Sequence, residues 1–174
     1  METLEAIHNR RSIRDFTDQP LPEELLHQVL QAATSSASGG NVQPWAFVVI
    51  QNPSHVRAVR SLASGIIGQP RTIVAIGLDV QRAERAGGTL GLKLAWIDIG
   101  LAMQNLLLAA YDLGLGACPI GSFHKKAVAL FLDLPPHIQP VLLIALGYPK
   151  TEPPSRGRRS LSEVCFADRW GNPL

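Results

Sequence analysis

The chain carries only two cysteines, Cys118 and Cys165, far apart and without paired spacing. That excludes the disulfide framework of a small secreted domain and a cysteine-based zinc site, and makes a reducing, cytoplasmic compartment the expectation. Charge is scarce as well: 17% of residues are Asp, Glu, Lys or Arg, against roughly 25% in an average soluble domain. The 16 basic and 14 acidic residues leave a formal net charge of +2. So weak a field cannot capture nucleic acid across the whole surface, and any anion site has to be local. The histidines, His8, His27, His55, His124 and His137, sit at no metal-ligand spacing. The first residues lack the basic start and apolar run of a signal peptide. The most apolar stretch, 92–115, is interrupted by Lys93, Asp98, Gln104, Asn105 and Asp112, so it falls short of the roughly 20 consecutive apolar residues of a membrane span. Neither a membrane nor a nucleic acid is expected as a partner.

Several catalytic signatures are missing too. Gly114-Leu115-Gly116 has Pro119 where a dinucleotide fingerprint needs its third glycine, and it follows a helical rather than a strand-like run. Gly88 to Lys93 lacks the spacing of a phosphate-binding NTPase loop, and no serine occupies a Gly-x-Ser-x-Gly elbow. What remains is a chain of 174 residues, 46% of them apolar. At that length folding buries roughly 70% of the extended surface without a metal or disulfide staple. One domain over 1–174 is the expectation.

The pattern along the chain predicts a short helix over 2–10, then a second begun by Pro22-Glu23-Glu24 and carried by Leu25, Leu26, Val29, Leu30 and Ala33. Turn-forming residues follow over 35–41. Strands are expected at 45–50, 71–78 and 140–146, with a short extended piece at 117–120. Ser54 and Ser122 are candidate caps for helices ending near 62 and 132. Residues 79–91, with Gly87, Gly88 and Gly91 among charges, read as a mobile loop. The helix from about 93 to 113 is apolar on nearly every side, which calls for burial all round, in a core or against a second copy. From residue 148 the chain turns proline-rich and then basic. The order does not fit βαβ alternation and reads as an α+β sheet flanked by helices.

Three clusters stand out. Arg10, Arg11 and Arg14 surround Ser12, and guanidinium forks match the spread of phosphate oxygens, although a solvated basic helix end explains the run equally well. The tail repeats the theme with Arg156, Arg158 and Arg159. Asn41 and Gln43 follow Ser38-Gly39-Gly40; a carboxamide there can pair with the edge of a flavin or pyrimidine, or simply close an Asx-turn. Pro119-Ile120-Gly121-Ser122 offers backbone N–H groups at a helix start, or is a plain strand-to-helix turn.

Taken together, Arg10 to Phe16, Ser38 to Trp45, Asp98 to Ala110, Gly114 to Gly116, Pro119 to Ser122 and Asp168 to Gly171 resemble the FMN-dependent nitroreductase family, in order over nearly the whole chain. The resemblance implies an α+β homodimer with a mostly antiparallel sheet, two FMN molecules at the interface, and a C-terminal extension, 148–174, embracing the partner. It implies that Arg10, Arg11 and Ser12 hold phosphate and ribityl while Arg14 lies near the pyrimidine side of the flavin. Ser38, Gly39, Asn41 and Gln43 would contact the ring, in part from the second subunit. Pro119, Ile120, Gly121 and Ser122 would cover one ring face, with Arg158 and Arg159 completing the phosphate cage, the two basic runs meeting across paired chains. NADH or NADPH would be the donor, and a nitroaromatic, quinone or related molecule the acceptor, by ping-pong turnover. No protein acid or base and no metal is implied. A flavin-binding sensor or carrier without turnover is the alternative. Many relatives carry an acid where this chain has Gly121, and 79–91 is short for the helical insert that often roofs the substrate pocket.

Overall fold

Thr72 to Leu78 is buried at every position, and a run apolar on both faces is what a strand covered from both sides requires. In the computed structural model, which describes residues 2–174, that run is the central strand β2 (Thr72–Asp79), with β1 (Trp45–Ile50), β3 (Gly116–Ile120) and β4 (Ile138–Gly147) around it. The sheet order is β1-β2-β4-β3 and every neighbouring pair is antiparallel. This is the mostly antiparallel sheet expected above.

Helices cover both faces. α1 (Thr3–Asn9), α2 (Glu23–Thr34), α3 (Pro53–Ser61), α4 (Val80–Asp112) and α5 (Lys125–Phe131) alternate with the strands after two initial helices, in the order read from the sequence, and a short α6 (Leu161–Val164) in the tail adds a helix that reading did not contain. The two-residue period of the strands divides the core. Val74, Ile76 and Leu78 of β2, with Ile144 and Leu146 of β4, pack under α2 and α4. Ile73, Ala75, Leu143 and Ala145 face the opposite layer, where α3 and α5 contribute Val56, Val59 and Val128.

The expected loop over 79–91 is helical. Asp79 caps it by accepting a hydrogen bond from the Arg82 N–H at 2.8 Å, and α4 then runs to Asp112 with one break at Gly87-Gly88, where Gly88 has φ +56° and ψ −136°. Only glycine adopts that conformation without strain. Gly91 serves packing instead: a Cβ there would stand 2.2 Å from the Ala83 carbonyl oxygen, so the two arms fold closely against each other. By length and composition α4 is the one helix among the described residues that could cross a membrane. It lies instead on the sheet, with Ala95, Asp98, Ile99, Ala102, Leu106, Leu107 and Ala110 buried.

Two caps also differ from expectation. Asn52 caps α3 by accepting from the Ser54 N–H at 2.9 Å. His124 occupies the start of α5 without a side-chain bond, and the Ser122 carbonyl accepts from Gly65 N–H at 3.1 Å.

Candidate functional site

The segment after α1 is extended and lies along the edge of β3. Ser12 forms a parallel bridge with Ala117, and the Ile13 N–H donates to the Ala117 carbonyl at 3.1 Å. Its other end is fastened to the chain leaving β4: Thr17 N–H donates to the Tyr148 carbonyl at 2.9 Å, and Lys150 N–H to the Asp15 carbonyl at 3.0 Å. These bonds carry the proline-rich tail back over the first residues. The start of the extension is thus bound to its own chain, and the two basic runs meet within that chain.

The result is a cleft of about 280 Å3 lined by Arg10, Arg11, Ser12, Arg14, Pro153, Pro154, Arg156 and Arg158. Five guanidiniums and no carboxylate line it. Arg11 donates through Nη1 to the His8 carbonyl at 2.8 Å, and Arg158 through Nη1 to the Arg156 carbonyl at 2.9 Å. Arg10 has no such outlet: its Nη1 is buried without a hydrogen-bond partner. Burial, then the charges of Arg158 and Arg11, hold its proton affinity below the usual guanidinium value. An unpaired buried donor costs about 1–3 kcal/mol, more when charged, and a dianionic phosphate relieves both the missing bond and the repulsion. The donor set fits the phosphate of FMN.

Arg159 stands apart. It pairs with Glu163 at 3.6 Å and donates to the Glu163 carbonyl at 3.0 Å. Arg156 takes the place in the cleft expected of it. The signal was present in the sequence, because residues 156 and 158 of an extended chain point the same way and 159 points opposite.

β3 brings the Pro119–Ser122 segment beside this cleft through the Ser12–Ala117 bridge. Cys118, buried on the same strand, feels both Arg14 and Arg10; burial pushes its thiol up from the ordinary value and the two arginines draw it part of the way back. Gly121 is open, with nothing within 4 Å of a Cβ placed on it.

The Ser38–Gln43 loop is built elsewhere, on α4. Asp98, 4% exposed, accepts the Gly39 N–H at 3.1 Å. The Ser38 hydroxyl accepts the Gln43 N–H at 3.1 Å, and the Gln43 side-chain amide donates to Asn41 Oδ1 at 3.0 Å. Arg82 holds the Val42 carbonyl. Asn41 and Gln43 both adopt positive φ, 55° and 52°, a strained choice for non-glycine residues that clusters at ligand sites. None of these residues lines the arginine cleft of its own chain. Sequence reasoning missed Asp98 as the anchor, although a lone acid in an otherwise apolar helix face was a visible cue.

The family model for the nitroreductase family matches residues 7–67 and 58–148. The chain belongs to the nitroreductase family. It is 33% identical over 162 residues, 90% of this chain and 82% of the relative, to a protein of Methanothermobacter thermautotrophicus named as an NADH dehydrogenase/NAD(P)H nitroreductase. It is 27% identical over 187 residues to the FMN reductase [NAD(P)H] of Bacillus subtilis, covering 98% of this chain and 75% of that one. Among solved structures, the NfrA1 nitroreductase from B. subtilis superimposes with a TM-score of 0.88 at 28% identity, over 97% of this chain and 75% of the other. The likeness extends along almost the full length, as the family resemblance of the sequence led one to expect.

Proposed function

We propose that this protein is an NAD(P)H-dependent flavin oxidoreductase that holds FMN by its phosphate in the arginine cleft. The observation that carries the reading is the buried, unpartnered Nη1 of Arg10 inside a cleft with four further guanidiniums and no acid. Names among the relatives, FMN reductase and NAD(P)H nitroreductase, support the same cofactor and donor. When bound, FMN supplies hydride acceptance from NADH or NADPH and onward delivery of electrons to a nitroaromatic, quinone or related acceptor, in turn at one pocket.

The residues of this chain then bind and orient. Arg10, Arg11, Ser12, Arg156 and Arg158 hold the phosphate and the first ribityl oxygens. Arg14, exposed at the mouth, is placed to put positive charge near the pyrimidine side, where it favours an anionic reduced ring. Pro119, Ile120, Gly121 and Ser122 flank the ring on the β3 side. No side chain is assigned as acid or base.

A second copy of the chain completes the pocket in this reading. The cleft of about 280 Å3 lies below the roughly 300–1,000 Å3 of pockets that enclose a ligand of this size, so the ring extends beyond it. α4 presents Leu90, Leu94, Ile97 and Leu101 to solvent, 64%, 39%, 59% and 42% exposed, and α1 adds Leu4 and Ile7. Their four-three spacing on α4 is that of a helix-pairing seam, and so large an apolar face calls for a partner. Pairing there carries the Ser38–Gln43 loop, mounted on the same helix, toward the partner's flavin. The exposed apolar end of the extension, Leu161, Val164, Trp170 and Leu174, supplies further contact area.

Anaerobic stopped-flow tests the assignment. Purified protein reconstituted with FMN should bleach on mixing with NADH or NADPH and regain colour when an acceptor is added. Failure to bind FMN refutes the site, and a yellow protein whose spectrum neither donor changes is a carrier.

A further inference from the structure

Residues 69–71 border a second arginine-rich cleft that the flavin reading leaves unused. Two adjoining lobes, of about 280 and 370 Å3, share Asp18, Gln51, Pro53 and Arg71. The first is lined also by Arg57 and Arg60 of α3, three residues apart and so on one helix face; the second is floored by Pro20 and Leu21. We propose that this cleft is a binding site for a phosphate monoester, with the phosphate held by Arg57, Arg60 and Arg71 and a small ring or sugar body lying on Pro20, Leu21 and Pro53.

Charge makes the first case. Three guanidiniums face one carboxylate, Asp18, the sole acid lining the cleft among the described residues. Asp18 meets Arg71 at 3.6 Å with its side chain 90% exposed, a geometry in which an ion pair contributes little. Arg57 and Arg60 face no acid within ion-pair distance, and like charges three apart on a helix repel. The second case is independent: Nε of Arg60 is buried without a hydrogen-bond partner. Buried guanidinium nitrogens are ordinarily satisfied, and a turn of the Arg60 guanidinium toward a phosphate in the cleft supplies the missing acceptor in fork geometry. A dianion suits the set better than a carboxylate, since it answers the net excess of two charges.

The cleft is also braced against the first site. Gly65 donates to the Ser122 carbonyl, and Gly68, at φ +86°, approaches the Arg14 carbonyl so closely that a Cβ would stand 2.1 Å from it. Gln69, Pro70 and Arg71 of the same segment line the second cleft. The phosphate has two possible sources, the 2′-phosphate of NADPH or a separate phosphorylated metabolite.

Calorimetric titration of the protein in excess FMN with inorganic phosphate, and separately with NADP+ and NAD+, tests the assignment. One phosphate per chain is expected to bind, weakened about tenfold or more by Arg57→Gln with Arg60→Gln and unchanged by Arg85→Gln on α4, with circular dichroism melts confirming that each variant folds. NADP+ binding tighter than NAD+, with the gap closed by the double variant, assigns the site to the donor; equal binding of the two, with phosphate still bound, assigns it to a separate metabolite. Because the inference does not rest on the flavin reading, phosphate binding that follows Arg10→Ala instead locates the ion in the first cleft and overturns it. Absence of binding, or binding indifferent to Arg57 and Arg60, overturns it as well.

Discussion

Replacing Arg10 and Arg14 with alanine perturbs cofactor affinity and fold stability in opposite directions. Each arginine is placed to make a charge-assisted contact worth roughly 1.5–3 kcal/mol. Arg14 is exposed and Arg10 half-buried, so the lower value applies to the first and the higher to the second. Together they amount to about 4.5 kcal/mol, or roughly two-thousandfold in the dissociation constant of FMN. In the protein without FMN the same change removes a buried donor that has no partner and a cation crowded by Arg158 and Arg11. The cofactor-free variant should therefore melt at or above the temperature of the cofactor-free parent. Flavin-to-protein absorbance ratios after desalting, FMN fluorescence titration, and calorimetry with and without FMN read both arms. A variant that retains stoichiometric flavin, or whose cofactor-free form melts well below the parent, refutes the reasoning.

Gly68→Ala should destabilise the fold by roughly 3 kcal/mol or more, since left-handed backbone strain adds to a collision with the Arg14 carbonyl; Gly121→Ala, open on all sides, should leave the urea midpoint nearly unchanged. Burial raises the folded-state pKa of Cys118 above its ordinary value, so the unfolded chain releases that proton first. The stability it contributes is complete below the ordinary thiol range and is lost as pH climbs through the raised value; Cys118→Ala should flatten this alkaline limb in denaturation curves taken across the range. Ile97→Glu, in the middle of the exposed α4 seam, should halve the mass seen by light scattering and lower FMN affinity with it, and an unchanged dimer would remove α4 from the interface.

Local chemistry made much of this legible. β-branched and aromatic runs between turn formers gave 45–50 and 71–78 to within one residue of β1 and β2; such residues favour strand, and 72–78 is buried on both faces besides. The glycines of 79–91 misled for a reason that lies outside the window. Asp79 starts a helix there, Gly88 alone needs special backbone, and Gly91 is required by an arm of the helix folded back upon it. Composition cannot separate a glycine chosen for a turn from one chosen for close approach. The basic runs announced an anion site, yet only the bonds tying residues 15 and 17 to 148 and 150 show that both runs serve one cleft. The positive φ of Asn41 suits a residue type enriched in that region, whereas nothing in its type announced the positive φ of Gln43.

Those same bonds impose an order on biosynthesis. A nascent chain that has left the ribosome only as far as Gly147 exposes Arg10, Arg11 and Arg14 without Arg156 and Arg158, and lacks the strap that lays the late residues over the early ones. Half a cage grips phosphate weakly. Under the proposed assignment flavin loading waits for translation to pass Arg158, and prosthetic-group insertion becomes a report that the strap has been laid over the early residues.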